Sequence, residues 1–233
     1  ASKDFLKRMS KYNKKIKSNI FHCYKHLVSF IVTVCEKFAA WNGDIPLKDL
    51  TLKTKEDYDK IIDLLNKKKG IIILFAHLGN IELLKALAAI NEGNPIQNCK
   101  INIVMDFNMN KNVNIMIASA KNSKDNSVDF IDAKNIGPET IISMESKLNN
   151  GEIIAIAGDR TSSKSDKFNL INFLGDEAPF PYGAFLIPVL LKYPTYYFFA
   201  LREKDKIIPK RYDFYIYESK IISNIQNKKL NKN

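Results

Sequence analysis

The chain is poor in cysteine, histidine and glycine, and it has no apolar run long enough to cross a bilayer. Its three cysteines, Cys23, Cys35 and Cys99, are scattered over 233 residues without C-x-x-C spacing. That excludes a disulfide framework and a zinc knuckle and fits a reducing, cytosol-facing location. Of three histidines, His22 and His26 share a helix face at i, i+4. Two ligands fall short of the three or four that a site needs, so no metal is expected. There is no G-x-S-x-G elbow and no cysteine at a predicted strand end, which argues against a serine or cysteine hydrolase. No signal-peptide pattern, internal repeat or low-complexity tract is visible in the sequence.

What is present suffices for one core. The composition is 45% hydrophobic and 11% aromatic over a length suited to a single α/β domain. The net charge of +11 belongs to the two ends: residues 1–41 hold nine basic and two acidic side chains, residues 220–233 hold four lysines and no acid, and the middle balances at 23 against 23. Basicity without a nucleic-acid-binding motif, or a basic face interleaved with aromatics, does not point to nucleic acid. It suits an anionic membrane surface or an acidic partner.

Residues 4–17 read as a basic amphipathic helix with Phe5, Leu6, Met9, Tyr12 and Ile16 as its apolar positions. The segment Ile20 to Ala40 is more apolar but carries Lys25, Glu36, Lys37 and two histidines. These argue against a bilayer span and permit packing on a core or lying in an interface. Three regions follow: basic, membrane-proximal helices over 1–43, an α/β core over 44–219, and a basic tail over 220–233.

Within the core, short β-branched runs alternate with helical periodicity. Residues 45–52 read as extended and Thr54 to Lys69 as a helix with Thr54 at its N-cap. Gly70 to His77 reads as an interior strand, 80–91 as a helix, 100–106 as a strand, 110–120 as a helix and 128–131 as a strand. Pro138 opens a helix to Leu148, Glu152 to Ala157 is another buried strand, and Phe185 to Leu191 an apolar helix. The segments 195–201, 206–208 and 212–217 are β-rich and close the sheet edge. The pattern predicts βαβ crossovers and a mostly parallel central sheet flanked by helices.

Two strand ends carry chemistry. The first run empties into His77-Leu78-Gly79-Asn80-Ile81-Glu82, and open α/β sheets place their ligands at carboxyl strand ends. Glu82, five residues on, falls in the first helical turn, from where its carboxylate can fold back to one ring nitrogen of His77 and leave the other as a general base. The second run empties into Gly158-Asp159-Arg160. Arg160 offers a bidentate positive charge suited to phosphate or to an acyl-transfer oxyanion. Further on, Phe180-Pro181-Tyr182-Gly183 forms a rigid aromatic turn, a plausible wall for an acyl chain or acceptor.

His77-Leu78-Gly79-Asn80-Ile81-Glu82 resembles the H-x4-D/E motif of the glycerolipid acyltransferase superfamily, and its HxGNxE form is similar to that of the lipid A biosynthesis (lauroyl/myristoyl) branch. Gly158-Asp159-Arg160 resembles a segment of the same subgroup. Residues 173–185, FLGDEAPFPYGAF, match a stretch of the form FLGxxAxFPxGPF at eight of nine specified positions, with Ala184 in place of proline. The N-terminal Ser2-Lys3-Asp4-Phe5-Leu6, Lys25 to Phe30 and Trp41-Asn42-Gly43 look like the segment that follows a membrane-spanning helix there; that helix is not in this sequence, so either the sequence begins after it, as a start at Ala1 rather than Met would fit, or the protein lacks it.

The resemblance implies the glycerolipid acyltransferase fold and a membrane-associated enzyme on the cytoplasmic face of a bacterial inner membrane, held peripherally or by a preceding helix. It would move a fatty acyl group from acyl carrier protein or coenzyme A to a hydroxyl of a lipid or glycolipid, without a metal or other cofactor. His77 and Glu82 are then catalytic, and Gly79, Asn80, Asp159, Arg160, Phe180, Pro181, Tyr182 and Gly183 contact substrate. A catalytically silent membrane-binding module and an α/β thioesterase are the alternatives.

Overall fold

Runs of β-branched residues that are apolar on both faces can bury themselves only between two layers of helix, and the periodicity supplies those helices. The computed structural model describes residues 1–42, 44–84, 95–107, 128–161, 167–203, 211–222 and 224–225, and the side chains at 41, 42, 47, 82, 95 and 97 lie outside that description. In chain order the elements are α1 (Ser2–Tyr12), α2 (Ile20–Asn42), β1 (Leu50–Leu52), α3 (Lys55–Asn66), β2 (Ile71–Gly79), a 3-10 turn over Ile81–Leu83, β3 (Ile101–Met105) and β4 (Val128–Asp132). Then come α4 (Pro138–Asn149), β5 (Ile153–Ala157), β6 (Phe168–Phe173), β7 (Asp176–Pro181), α5 (Tyr182–Leu191), β8 (Thr195–Arg202) and β9 (Tyr212–Glu218).

Seven strands form one sheet in the order β1-β9-β8-β2-β5-β3-β4. Its pairs are parallel except β8 with β9. The α/β class and the mostly parallel central sheet expected from the sequence are therefore found. Side-chain alternation divides the core in two. Ile71, Ile73 and Phe75 of β2 pack with Tyr58, Ile61 and Leu65 of α3 on one face. Ile72 and Leu74 pack with Met144 and Leu148 of α4 and with Ala184, Ile187 and Leu191 of α5 on the other. Helices thus cover both faces, and β2 runs through the middle.

Several expectations shift. The strand at 195–202 does not close the sheet edge: β8 lies directly beside β2, and the short β1 takes the edge. The helix after Thr54 ends at Asn66; Thr54 stands at its N-cap as expected, but its hydroxyl makes no cap hydrogen bond and accepts from the Ile216 N–H at 2.6 Å, tying α3 to β9. α1 stops at Tyr12 because Asn13 is extended (φ −138°) and its side chain accepts from the Lys15 N–H. The expected helix 110–120, the stretch 206–208 and all but the start of helix 80–91 lie outside the described residues.

Phe168 to Pro181 was not expected to form strands. β6 and β7 make a separate antiparallel hairpin, turned by Leu174 and Gly175, both at positive φ as a two-residue hairpin turn requires. The glycine of the FLG motif thus has a place in the turn. All six residues of β6 are exposed, and the hairpin tip is joined to α1 by an ion pair between Asp176 and Arg8. Among the described residues no helix is long and apolar enough to cross a membrane.

Candidate active site

The site begins where β2 leaves the regular ladder. Between Phe75 and Gly79 the strand advances four residues while β8 advances two, from Phe198 to Ala200. Such a bulge bends a strand and re-aims its side chains. Toward β5 the ladder ends with Phe75 opposite Ala157, and His77 and Asp159 lie two residues beyond that pair on their two strands. Gly79 closes the bulge at φ +87°. A Cβ there would fall 2.1 Å from the Ala200 carbonyl oxygen, the atom that accepts from the Asn80 N–H, so only glycine fits.

Asp159 grips His77 twice. The His77 backbone N–H donates to Asp159 Oδ2 at 2.8 Å, and Nδ1 lies 2.9 Å from Oδ1. Burial pushes the Asp159 carboxyl up, but the two hydrogen bonds from His77 and its nearby charge outweigh that and hold it below its ordinary range. An ionised carboxylate only accepts, so Nδ1 carries a proton, and in the neutral form of the imidazole the lone pair is on Nε2. The side chains are 34% and 26% exposed, which leaves the pair open to a substrate from solvent. Such an imidazole can take a proton at Nε2 while Asp159 stabilises the resulting cation.

The remaining candidate residues divide by position. Arg160 is exposed immediately beyond Asp159. Gly158 is buried, and a Cβ on it would touch the Phe185 ring at 3.2 Å, so the first turns of α5 flank this strand end. Phe180 and Pro181 end β7, with Phe180 edge-on to Phe173, and exposed Tyr182 and half-buried Gly183 begin α5. The aromatic turn is therefore the root of the hairpin, and its neighbour Phe185 is what reaches Gly158. Glu82 lies in the 3-10 turn Ile81–Leu83, and its side chain is outside the described residues.

Asn80 faces inward. It is 2% exposed, and its amide donates to the Glu36 carbonyl oxygen on α2 at 3.2 Å. Beside it, the Arg202 guanidinium at the end of β8 donates to Glu36 Oε2 at 2.8 Å, to Ser29 Oγ and the Ser29 carbonyl oxygen, and to the Thr33 hydroxyl. The Tyr212 hydroxyl also bonds Glu36. Burial raises the Glu36 carboxyl above its ordinary range, and the nearby Arg202 charge only partly offsets that. This network clamps α2 to the strand ends behind the His77 turn.

His22 and His26 are both engaged elsewhere, with Nδ1 of His22 on Asn19 Oδ1 and Nδ1 of His26 on Ser2 Oγ. Among the described residues no three His, Cys, Asp or Glu side chains are grouped as metal ligands. Sequence reasoning placed Asp159 at a strand end but not as the partner of His77. The available signal was that both residues follow buried strands, yet nothing local says that β2 and β5 are neighbours. No protein-family model matches this chain, and no curated protein matches it.

Proposed function

We propose that the protein is a membrane-associated acyltransferase that moves a fatty acyl group from a thioester, carried on acyl carrier protein or coenzyme A, to a hydroxyl of a lipid or glycolipid. The observation that carries this reading is the Asp159-held imidazole at the mouth of the sheet. Among the described residues it leaves Nε2 without a partner, available as a base, and the motif from His77 to Glu82 holds no serine, threonine or cysteine. Nε2 takes the acceptor's hydroxyl proton as the oxygen attacks the thioester carbonyl. The carbon–sulfur bond then breaks, and the leaving thiolate takes the proton back from the imidazolium. Arg160 is placed to meet phosphate on either substrate or the oxyanion of the intermediate. The motif would make Glu82 the carboxylate that orients the imidazole; in this geometry Asp159 takes Nδ1.

The family reading rests on three sequence blocks in one order, His77 to Glu82, Gly158 to Arg160 and Phe173 to Phe185. That reading implies the cytoplasmic face of a bacterial inner membrane.

The test supplies acyl carrier protein thioesters and coenzyme A thioesters with a bacterial lipid extract and follows a gain of one acyl mass by mass spectrometry. Transfer that is lost in His77→Ala, with Asp159→Asn adding little on top of it, supports one catalytic unit. Thioester cleavage to free fatty acid with no acylated lipid would reassign the site to hydrolysis. Vesicle binding with neither product would leave a membrane-binding module.

A further inference from the structure

α2 is turned inside out. Its protein-facing side is polar: His26 bonds Ser2, Ser29 and Thr33 bond Arg202, and Glu36 pairs with Arg202 while its carbonyl oxygen takes the Asn80 amide. Its outer side is apolar. Ile20, Tyr24, Leu27, Ile31, Val34 and Phe38 follow one another at spacings of four and three residues, which puts them in one stripe. They are exposed by 38% to 88%. A water-facing helix has the opposite pattern.

The charges say what covers the stripe. Residues 1–41 carry nine basic side chains against two acids, and one of those acids, Glu36, is turned inward on Arg202. Lys3, Lys7 and Lys11 line one exposed face of α1, the helix packed on α2 through Phe5 and His26. Lys25, exposed on the flank of α2 between the stripe and the polar side, holds its ammonium over the Phe21 ring at 4.6 Å. A second copy seated on the stripe would bring like charge to like charge. An anionic lipid surface meets both the apolar stripe and the basic side chains of α1 and α2.

We propose that α2 lies in the plane of an anionic membrane with this stripe in the acyl-chain boundary and the lysines of α1 and α2 among the head groups. At 1.5 Å per residue the 23-residue helix runs about 34 Å along the surface. Because Glu36 and Asn80 tie its C-terminal half to the His77 turn, the docked helix holds the mouth of the site beside the lipid. That placement rests on the acyl-transfer reading only for what the mouth does there.

Vesicle binding is measured on the whole chain without any thioester, so docking and catalysis fail separately. Cys35, exposed on the apolar side of α2, takes an environment-sensitive fluorophore in a Cys23→Ser background. Cys99 is buried and burial pushes its thiol up to about 11, which keeps it unreactive. Phosphatidylglycerol vesicles should blue-shift the probe. Leu27→Glu with Ile31→Glu should weaken binding about tenfold or more at unchanged circular dichroism. Lys7→Gln with Lys11→Gln should weaken binding to phosphatidylglycerol but not to phosphatidylcholine, and should flatten its salt dependence. Unchanged binding in the double-glutamate variant would overturn the proposal. So would a dimer by sedimentation that this variant splits, together with no vesicle binding in the parent.

Discussion

Two halves of one strand behave in opposite ways. From Ile71 to Phe75, β2 follows a regular ladder on both sides, and each residue is at most 8% exposed. From Ala76 to Gly79 it bulges away from β8 and leaves the core, and Leu78 is 61% exposed. The first half packs; the second gives up packing to set the imidazole against Asp159. A core strand and the loop proposed to be catalytic are here one continuous piece of chain, so damage to either can be told apart by whether stability or chemistry is lost.

The largest effect is expected where the halves are joined. Gly79→Ala drives a Cβ into the Ala200 carbonyl oxygen at a left-handed φ, and should cost about 4 kcal/mol in denaturant unfolding and abolish transfer with it. If Gly79→Ala unfolds like wild type, the bulge does not depend on this glycine. Next, Leu74→Ala empties a site that is 1% exposed and should cost about 2–5 kcal/mol, while the molecules still folded keep full transfer. His77→Ala should do the reverse: transfer falls by about 10²-fold or more with the unfolding midpoint nearly unmoved. A large loss of stability in this variant would make His77 a structural residue.

Asp159→Asn keeps the shape and removes the charge. Transfer should fall by about tenfold or more, because the imidazolium loses its counter-ion. Its pH dependence has a definite sign. The folded-state pKa of Asp159 is depressed, so its stabilisation is complete above the ordinary value near 3.8 and is lost as pH falls through the lower folded value. Acid unfolding of Asp159→Asn should therefore be less steep below about pH 4 than that of the wild type. Equal steepness would mean that the His77 contacts do not stabilise the carboxylate. The smallest effect belongs to Leu78→Ser, an exposed change beside the site, expected within about 0.5 kcal/mol of wild-type stability.

Much of this was legible residue by residue. Runs such as Ile71 to Phe75 and Ile153 to Ala157 announce buried strands, Pro138 marks the first turn of α4, and His77 ends a run that has to lie inside a sheet. The hairpin of β6 and β7 was missed because its strands cover no core, and their apolar residues lack the clean alternation of a half-buried strand. The position of β8 beside β2 was missed because strand order has no local signal.

The sequence alone determined the α/β class, the histidine at a carboxyl strand end, and the basic ends, since each depends on neighbours within a few positions of the chain. Only the tertiary structure decided that Asp159, 82 residues away, takes Nδ1 of His77. It also decided that the polar side of α2 faces the protein. Hydrophobic periodicity says which residues share a face, but which face turns inward depends on what is waiting there. Here Arg202, at the end of a strand far along the chain, draws Ser29, Thr33 and Glu36 toward the sheet and leaves the apolar stripe outside.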